Sequence, residues 1–213
     1  MDLFSKTLEA YIAAHTTPEN ELLKEINRQT HLKVLQPRML SGHLQGRILA
    51  MFSQMIRPKY ILEIGTYTGY SALCLAEGLV NEGQLHTIDI NEELESMVRG
   101  FFARSPYFHQ MHYHIGNALE IIPNLNFHFD LIFIDADKLN YANYYDLVFE
   151  KVNQNGFIII DNVLWDGKVL PQTDKVDKKT QAMIDFNQKI QLDSRVENIL
   201  LPIRDGLMLV RKK

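Results

Sequence analysis

The sequence predicts an α/β chain: an open, doubly wound, mostly parallel sheet, preceded by helices and closed by an antiparallel hairpin. Three observations predict this class. From Tyr60 onward, short apolar runs alternate with helical patterns, as in parallel strands joined by crossover helices. Within Tyr60-Ile61-Leu62-Glu63-Ile64-Gly65-Thr66-Tyr67-Thr68-Gly69-Tyr70-Ser71 an apolar run breaks at Gly65, and a helical pattern begins after Gly69, as where a buried strand hands over to a helix. Near the C-terminus, Asp205-Gly206 separates two apolar runs, a strong hairpin signal. A chain of 213 residues, 46% of them apolar or aromatic, fits a single domain, residues 1–213, with a sizeable core. Residues 1–58 are expected to form an N-terminal helical extension and 59–213 the sheet core.

Residues 2–14 carry Phe4, Leu8, Tyr11 and Ile12 at helical spacing. Thr17-Pro18 reads as the cap and first position of a second helix, with Leu22, Leu23 and Ile26 on one face. A third helical stretch, Leu44 to Ile56, ends ahead of Pro58. The apolar faces of these segments need a site or a partner subunit to cover, and a homodimer is expected. Strands are predicted at Tyr60–Ile64, Gln84–Ile90, His109–Ile115, Phe129–Ala136 and Gly156–Asp161. Helices are predicted at Ser71–Val80, Glu92–Arg104, Ala118–Ile122 and Tyr141–Val152. The mixed-sign run Asp174-Lys175-Val176-Asp177-Lys178-Lys179 reads as a solvated helix start, and Met183, Phe186 and Ile190 mark that helix's inner face. The hairpin strands are Val196–Ile203 and Leu207–Lys213, around the turn Arg204-Asp205-Gly206.

Composition narrows the function. The formal charge of −4 announces no basic field for nucleic acid. Cys74, the lone cysteine, excludes an internal disulfide, fits a reducing compartment and reads as a small core residue. No apolar run reaches membrane-spanning length, and Met1-Asp2-Leu3-Phe4-Ser5 lacks the basic start of a signal peptide, so a cytoplasmic protein without a membrane partner is expected.

Right-handed crossovers bring the C-terminal ends of parallel strands to one edge, where ligands collect. The spacing Glu63-x-Gly65-x-x-x-Gly69 is looser than a dinucleotide fingerprint, which disfavours a nicotinamide dehydrogenase. The acid would repel a pyrophosphate but suits ribose hydroxyls or an ammonium group, hence a cationic nucleoside without phosphate. Asp89, twenty positions after Gly69, is placed for ribose hydroxyls, although Asp89 or Asn91 also suits a helix cap. Asn117, in Gly116-Asn117-Ala118, is placed for an adenine edge, although an Asn there more often serves as a cap.

Asp135, Asp161 and Asn162 end the fourth and fifth strands, and they form an all-oxygen set suited to Mg²⁺, Mn²⁺ or Ca²⁺. Lys138 lies three residues after Asp135; a neighbouring cation favours its free amine, the form a general base needs, whereas on a plain surface it would pair with Asp137. His109, His112 and His114 alternate in a strand body and read as structural. Trp165, just past Asn162, reads as a pocket wall or as core.

These residues resemble the cation-dependent O-methyltransferases that include catechol and caffeoyl-coenzyme A O-methyltransferases and small bacterial relatives. The resemblance runs over Met39 and Gly46, Leu62-Glu63-Ile64-Gly65 to Gly69-Tyr70-Ser71, Asp89, Phe133-Ile134-Asp135-Ala136-Asp137-Lys138, Asp161-Asn162 and Asp205-Gly206-Leu207. It implies the Rossmann-like fold of class I methyltransferases and S-adenosylmethionine as cofactor. It further implies that Met39, Glu63, Gly65, Ser71, Asp89, Asn117 and Ala118 line the cofactor site, together with Asp135. Asp135, Asp161 and Asn162 would hold Mg²⁺, and Lys138 would take the acceptor's proton. The implied acceptor is a small vicinal-dihydroxy aromatic, with transfer RNA as the alternative because some bacterial relatives methylate a hydroxylated uridine. Lys33, Arg38, Arg47, Arg57 and Lys59 give that alternative a scatter of cations. Asn117 stands where many bacterial relatives have Asp, and Leu40-Ser41-Gly42-His43-Leu44 matches neither plant nor animal enzymes, so substrate identity does not carry across.

Overall fold

The structure is a computed structural model that describes residues 5–171 and 176–213. Phe4 of the predicted first helix, and Asp174 and Lys175 of the mixed-sign run, lie outside the described residues. The fold class is the predicted one, α/β with a seven-stranded, mostly parallel sheet and an antiparallel C-terminal hairpin. The chain divides into two compact units, one running to Ala118 and one from Leu119 to Lys213.

In the first unit, α1 (Lys6–Ala14) is capped by Ser5 and buries none of its residues. Helix α2 (Glu21–Lys33) starts later than Thr17-Pro18 predicted. Asn20 is its cap, its Oδ1 accepting from the Leu23 N–H at 2.9 Å, while the Thr17 carbonyl is taken by His43 Nε2 at 2.7 Å. Leu23 and Ile26 are buried, as predicted. Helix α3 (Gly42–Ile56) ends in a left-handed Arg57 ahead of Pro58. Strands β1 (Tyr60–Ile64), β2 (Gln84–Asp89) and β3 (Met111–Ile115) are parallel, with β2 in the middle. Their pairing runs from Tyr60↔Gln84 to Ile64↔Ile88 and from Leu85↔Met111 to Asp89↔Ile115, so all three C-terminal ends share one edge. Helix α4 (Tyr70–Ala76) stops short of the predicted Val80, and the predicted helix at 92–104 begins as a 3-10 turn before α5 (Glu95–Phe102). Cys74 is fully buried, and burial pushes its thiol up to about 12, an inert core group.

Of the three histidines predicted on one strand, His112 and His114 lie in β3, whereas His109 sits in a 3-10 turn ahead of it. His86 of β2 stacks on His112 at 4.7 Å and on His114 at 5.4 Å. His86 Nε2 lies 3.3 Å from Gln84 Oε1 and its Nδ1 3.1 Å from His114 Nε2, so a neutral His86 donates to the amide and accepts from His114. Burial, reinforced by His112 and His114, lowers its pKa from 6.5 to about 4. The unfolded chain therefore takes up this proton first as pH falls, and stability drops through the window from about pH 6.5 to about 4. Thermal melts across this window should show a shallower pH slope for His86→Gln than for wild type; equal slopes would assign the loss to other groups.

In the second unit, α6 (Ala118–Ile121) is short and leads to β4 (Phe129–Ile134), α7 (Tyr141–Phe149) and β5 (Val152–Asp161). Strand β5 begins earlier than the predicted Gly156 because a register irregularity between Phe129 and Leu131 carries its pairing back to Val152. Helix α8 (Lys178–Leu192) is capped by Asp177, whose Oδ1 accepts from the Lys179 and Thr180 N–H groups, and it buries Met183, Phe186 and Ile190. Strand β7 (Leu207–Lys212) lies antiparallel between β5 and β6 (Val196–Leu201). The connection is longer than the predicted three-residue turn because Pro202 has no N–H for the ladder and ends β6. Among the described residues no helix is long and apolar enough to cross a membrane.

Candidate active site

The first unit gathers its polar residues at the C-terminal edge of β1 to β3. Glu63 of β1 is fully buried, and its carboxylate accepts from the Ser71 hydroxyl at 2.6 Å and the Thr87 hydroxyl at 2.5 Å. These bonds tie the start of α4 to β2 through the acid. Asp89, half-buried at the end of β2, accepts from the Tyr67 N–H at 2.6 Å and from the Asn91 N–H at 2.9 Å. Each carboxylate oxygen has two acceptor sites, so capacity for further donors remains. The cap of the following turn is Asn91, which accepts from the Glu93 N–H. Gly65 donates to the Ile88 carbonyl and Gly116 to the Asp89 carbonyl, which brings Asn117 and the buried Ala118 beside Asp89.

Gly69 has φ +84°, and a Cβ there would lie 2.6 Å from the Phe102 ring, so α5 packs against a backbone that only glycine leaves bare. Tyr67 is left-handed too, and its hydroxyl donates to the Gln36 carbonyl at 2.9 Å. That bond ties the glycine loop to the turn carrying Met39, which is 57% exposed and open to a ligand.

In the second unit, the pairing Ile134↔Ile160 sets the ends of β4 and β5 level, just before Asp135 and at Asp161. Lys138 Nζ donates to Asp135 Oδ1 at 3.0 Å, Asn162 Oδ1 at 2.6 Å and the Tyr141 hydroxyl at 2.5 Å. All three ammonium hydrogens are thus placed. The simple surface pairing with Asp137 does not form; Asp137 accepts from Tyr144 at 2.6 Å and Asn140 at 2.9 Å. Tyr141 is fully buried and donates to the Asp161 carbonyl at 3.0 Å. Burial first, then Asp135 and Asp161, hold its phenol well above its ordinary pKa of 10, so it is a neutral donor and not a base. Asp161, 3% exposed, accepts from the Asn162 N–H at 2.7 Å.

Oxygens of Asp135 and Asn162 already converge on one cationic group, which fits the hard, all-oxygen donor set a divalent metal takes. Among the described residues no group of three or more His, Cys, Asp or Glu side chains could hold a metal; the set here has two carboxylates and an amide. The Trp165 indole N–H is buried with no hydrogen-bond partner among the described residues, a donor that needs an acceptor.

Sequence reasoning missed Thr87, Tyr67 and Tyr141. Thr87 carried a signal, because it lies two positions before Asp89 on the same strand face, and Tyr141 carried one at i+3 from Lys138. Tyr67 acts on Asp89 through its backbone N–H, which no side-chain pattern announces.

Over residues 13–213 the chain matches the family model described as O-methyltransferase. It is 32% identical to a caffeoyl-CoA O-methyltransferase of Petroselinum crispum over 205 residues, covering 91% of this chain and 85% of that one. An O-methyltransferase from Bacillus cereus, solved in complex with SAH, superposes with a TM-score of 0.89 at 27% identity, covering 97% of both chains. The O-methyltransferase TomG from Streptomyces achromogenes, solved in complex with SAM, gives 0.88 at 26% identity, covering 97% of this chain and 96% of that one.

Proposed function

The chain belongs to the O-methyltransferase family as an S-adenosylmethionine-dependent enzyme, and on that premise we propose that it methylates one of two adjacent hydroxyls on a small aromatic acceptor, with a divalent cation as second cofactor. The observation that carries this reading is the cluster in which Lys138 bridges Asp135 and Asn162. It joins a candidate base to two candidate metal ligands through single hydrogen bonds.

S-adenosylmethionine supplies an electrophilic methyl on a sulfonium, and the cation, when bound, fixes the acceptor and lowers the pKa of its hydroxyl. The chain's own residues do the rest. Asp89 takes ribose hydroxyls, and Met39, Gly65, Ser71, Asn117 and Ala118 line the nucleoside, with Glu63 holding the loop in shape. Asp135, Asp161 and Asn162 hold the cation. Lys138 takes the proton of the attacking hydroxyl at Nζ after it has released one of its own three hydrogens to solvent, which frees the nitrogen lone pair. Tyr141 keeps that amine oriented, and Trp165 walls the acceptor and offers its free N–H. Attack in line with the sulfonium joins opposite charges, so orientation is the protein's main contribution.

S-adenosylmethionine should bind without metal, and Asp89→Ala should weaken it by about 1–3 kcal/mol, the cost of leaving polar groups unpaired. Calorimetry checks this; tight NAD binding without methyl-donor binding would refute it. The acceptor is tested by incubating the protein with methyl-labelled donor and either catechols or bulk transfer RNA, at low and physiological salt. Label should enter the catechol at a rate nearly independent of salt. Transfer to RNA that falls steeply with salt, with catechols feebly used, would reverse the choice of acceptor. The basic scatter behind the RNA reading is thinner than it looked, since Arg47 is part-buried and paired with Glu77.

A further inference from the structure

We infer that Asp205, on the connection between β6 and β7, is a positioning residue that holds the loop carrying Asn162 and Trp165. The inference deepens the proposed function and rests on its reading of those two residues. Three non-glycine residues of this loop are left-handed: Asn162 at φ 60°, Trp165 at 48° and Asp166 at 55°. Such conformations cost free energy and persist only where the surroundings hold them.

Most of the holding contacts come from the hairpin; Asn187 of α8 adds one, its Nδ2 donating to the Val163 carbonyl at 2.7 Å. The Leu164 N–H donates to the Asp205 carbonyl at 2.9 Å and the Val163 N–H to the Gly206 carbonyl at 3.2 Å. The Asp205 carboxylate accepts from the Asp166 N–H at 2.5 Å, the amide that joins the left-handed Trp165 to the left-handed Asp166. Gly206 has φ +86°, and a Cβ there would lie 2.6 Å from the Leu164 side chain and 3.0 Å from its backbone nitrogen. The hairpin therefore presses on this loop as closely as a glycine allows. Of the hairpin's contacts, that of the Asp205 side chain can be removed without altering a backbone, which isolates it for testing. Losing a direct hydrogen-bond partner of a metal ligand typically costs about 10–100-fold in metal affinity; Asp205 acts one step further out, on the backbone four residues after Asn162, so the low end of that range applies.

Trp165 is the only tryptophan in the sequence, so its fluorescence reports this loop directly. Asp205→Ala should red-shift its emission and raise its quenching by acrylamide, weaken Mn²⁺ binding by about tenfold in water-proton relaxation, and raise the acceptor KM more than it lowers kcat. Asp205→Asn keeps an acceptor oxygen and should restore all three. S-adenosylmethionine affinity should stay at the wild-type value in both variants. Wild-type emission and quenching in Asp205→Ala would overturn the inference. So would loss of methyl-donor binding, which would make Asp205 a stabilising residue of the fold at large. If the wild-type chain binds no Mn²⁺, the metal reading fails on its own, while the fluorescence comparison still decides the role of Asp205.

Discussion

Lys138→Met lowers turnover by roughly 10²–10⁴, the range for loss of a general base, while S-adenosylmethionine affinity is unchanged. Methionine keeps the length and apolar stem of lysine, so the change removes the amine and little packing. Loss of the bridge between Asp135 and Asn162 leaves both oxygens with solvent or a cation as partners, so the fold survives. Hydroxide can deprotonate an activated hydroxyl unaided, and raising the pH therefore recovers part of the variant's rate. Tyr141 does not substitute for the lysine, because burial keeps its phenol protonated. Steady-state rates across pH, read beside calorimetry of the methyl donor, check this. Wild-type turnover in the variant would return Lys138 to a structural bridge.

Turnover of Asp161→Ala falls below detection and is not rescued at ordinary Mg²⁺. In the wild type, a chelator abolishes activity and Mg²⁺ restores it. Asp161 is both a proposed ligand and the group that holds the Asn162 N–H, so alanine removes one ligand and loosens a second. Asp161→Asn separates the two effects: it keeps an oxygen for that N–H but loses the charge, and should retain partial activity that rises with Mg²⁺ concentration. Methyl-donor affinity changes little in either variant. Full wild-type activity in excess chelator would end the metal role and leave the cluster as a hydrogen-bonded scaffold.

The candidate site was legible where residue type and strand position alone define it. Asp89, Asp135, Asp161 and Asn162 stand at or just past the ends of parallel strands, and the alternation of strands and helices predicts those ends to within a residue or two. Partners were less legible. Lys138 lies beside Asp137 in sequence yet bonds Asp135 and Asn162, because the level ends of β4 and β5 deliver those oxygens to the same ammonium. Glu63 is spaced like a ligand-facing acid, and only packing brings Ser71 and Thr87 to it from α4 and β2.

By itself the sequence determined the fold class, the order of elements, the hairpin and the acids at the strand ends. These follow from local periodicity, turn chemistry and the rule that parallel strands end on a common edge. Only the tertiary structure decided that the Thr17 carbonyl goes to His43, that His86 meets His114, and that Asp205 reaches Asp166 across 39 positions of sequence. A hydrogen bond is satisfied by whichever partner packing brings within about 3 Å, and for these groups that partner lies on another element.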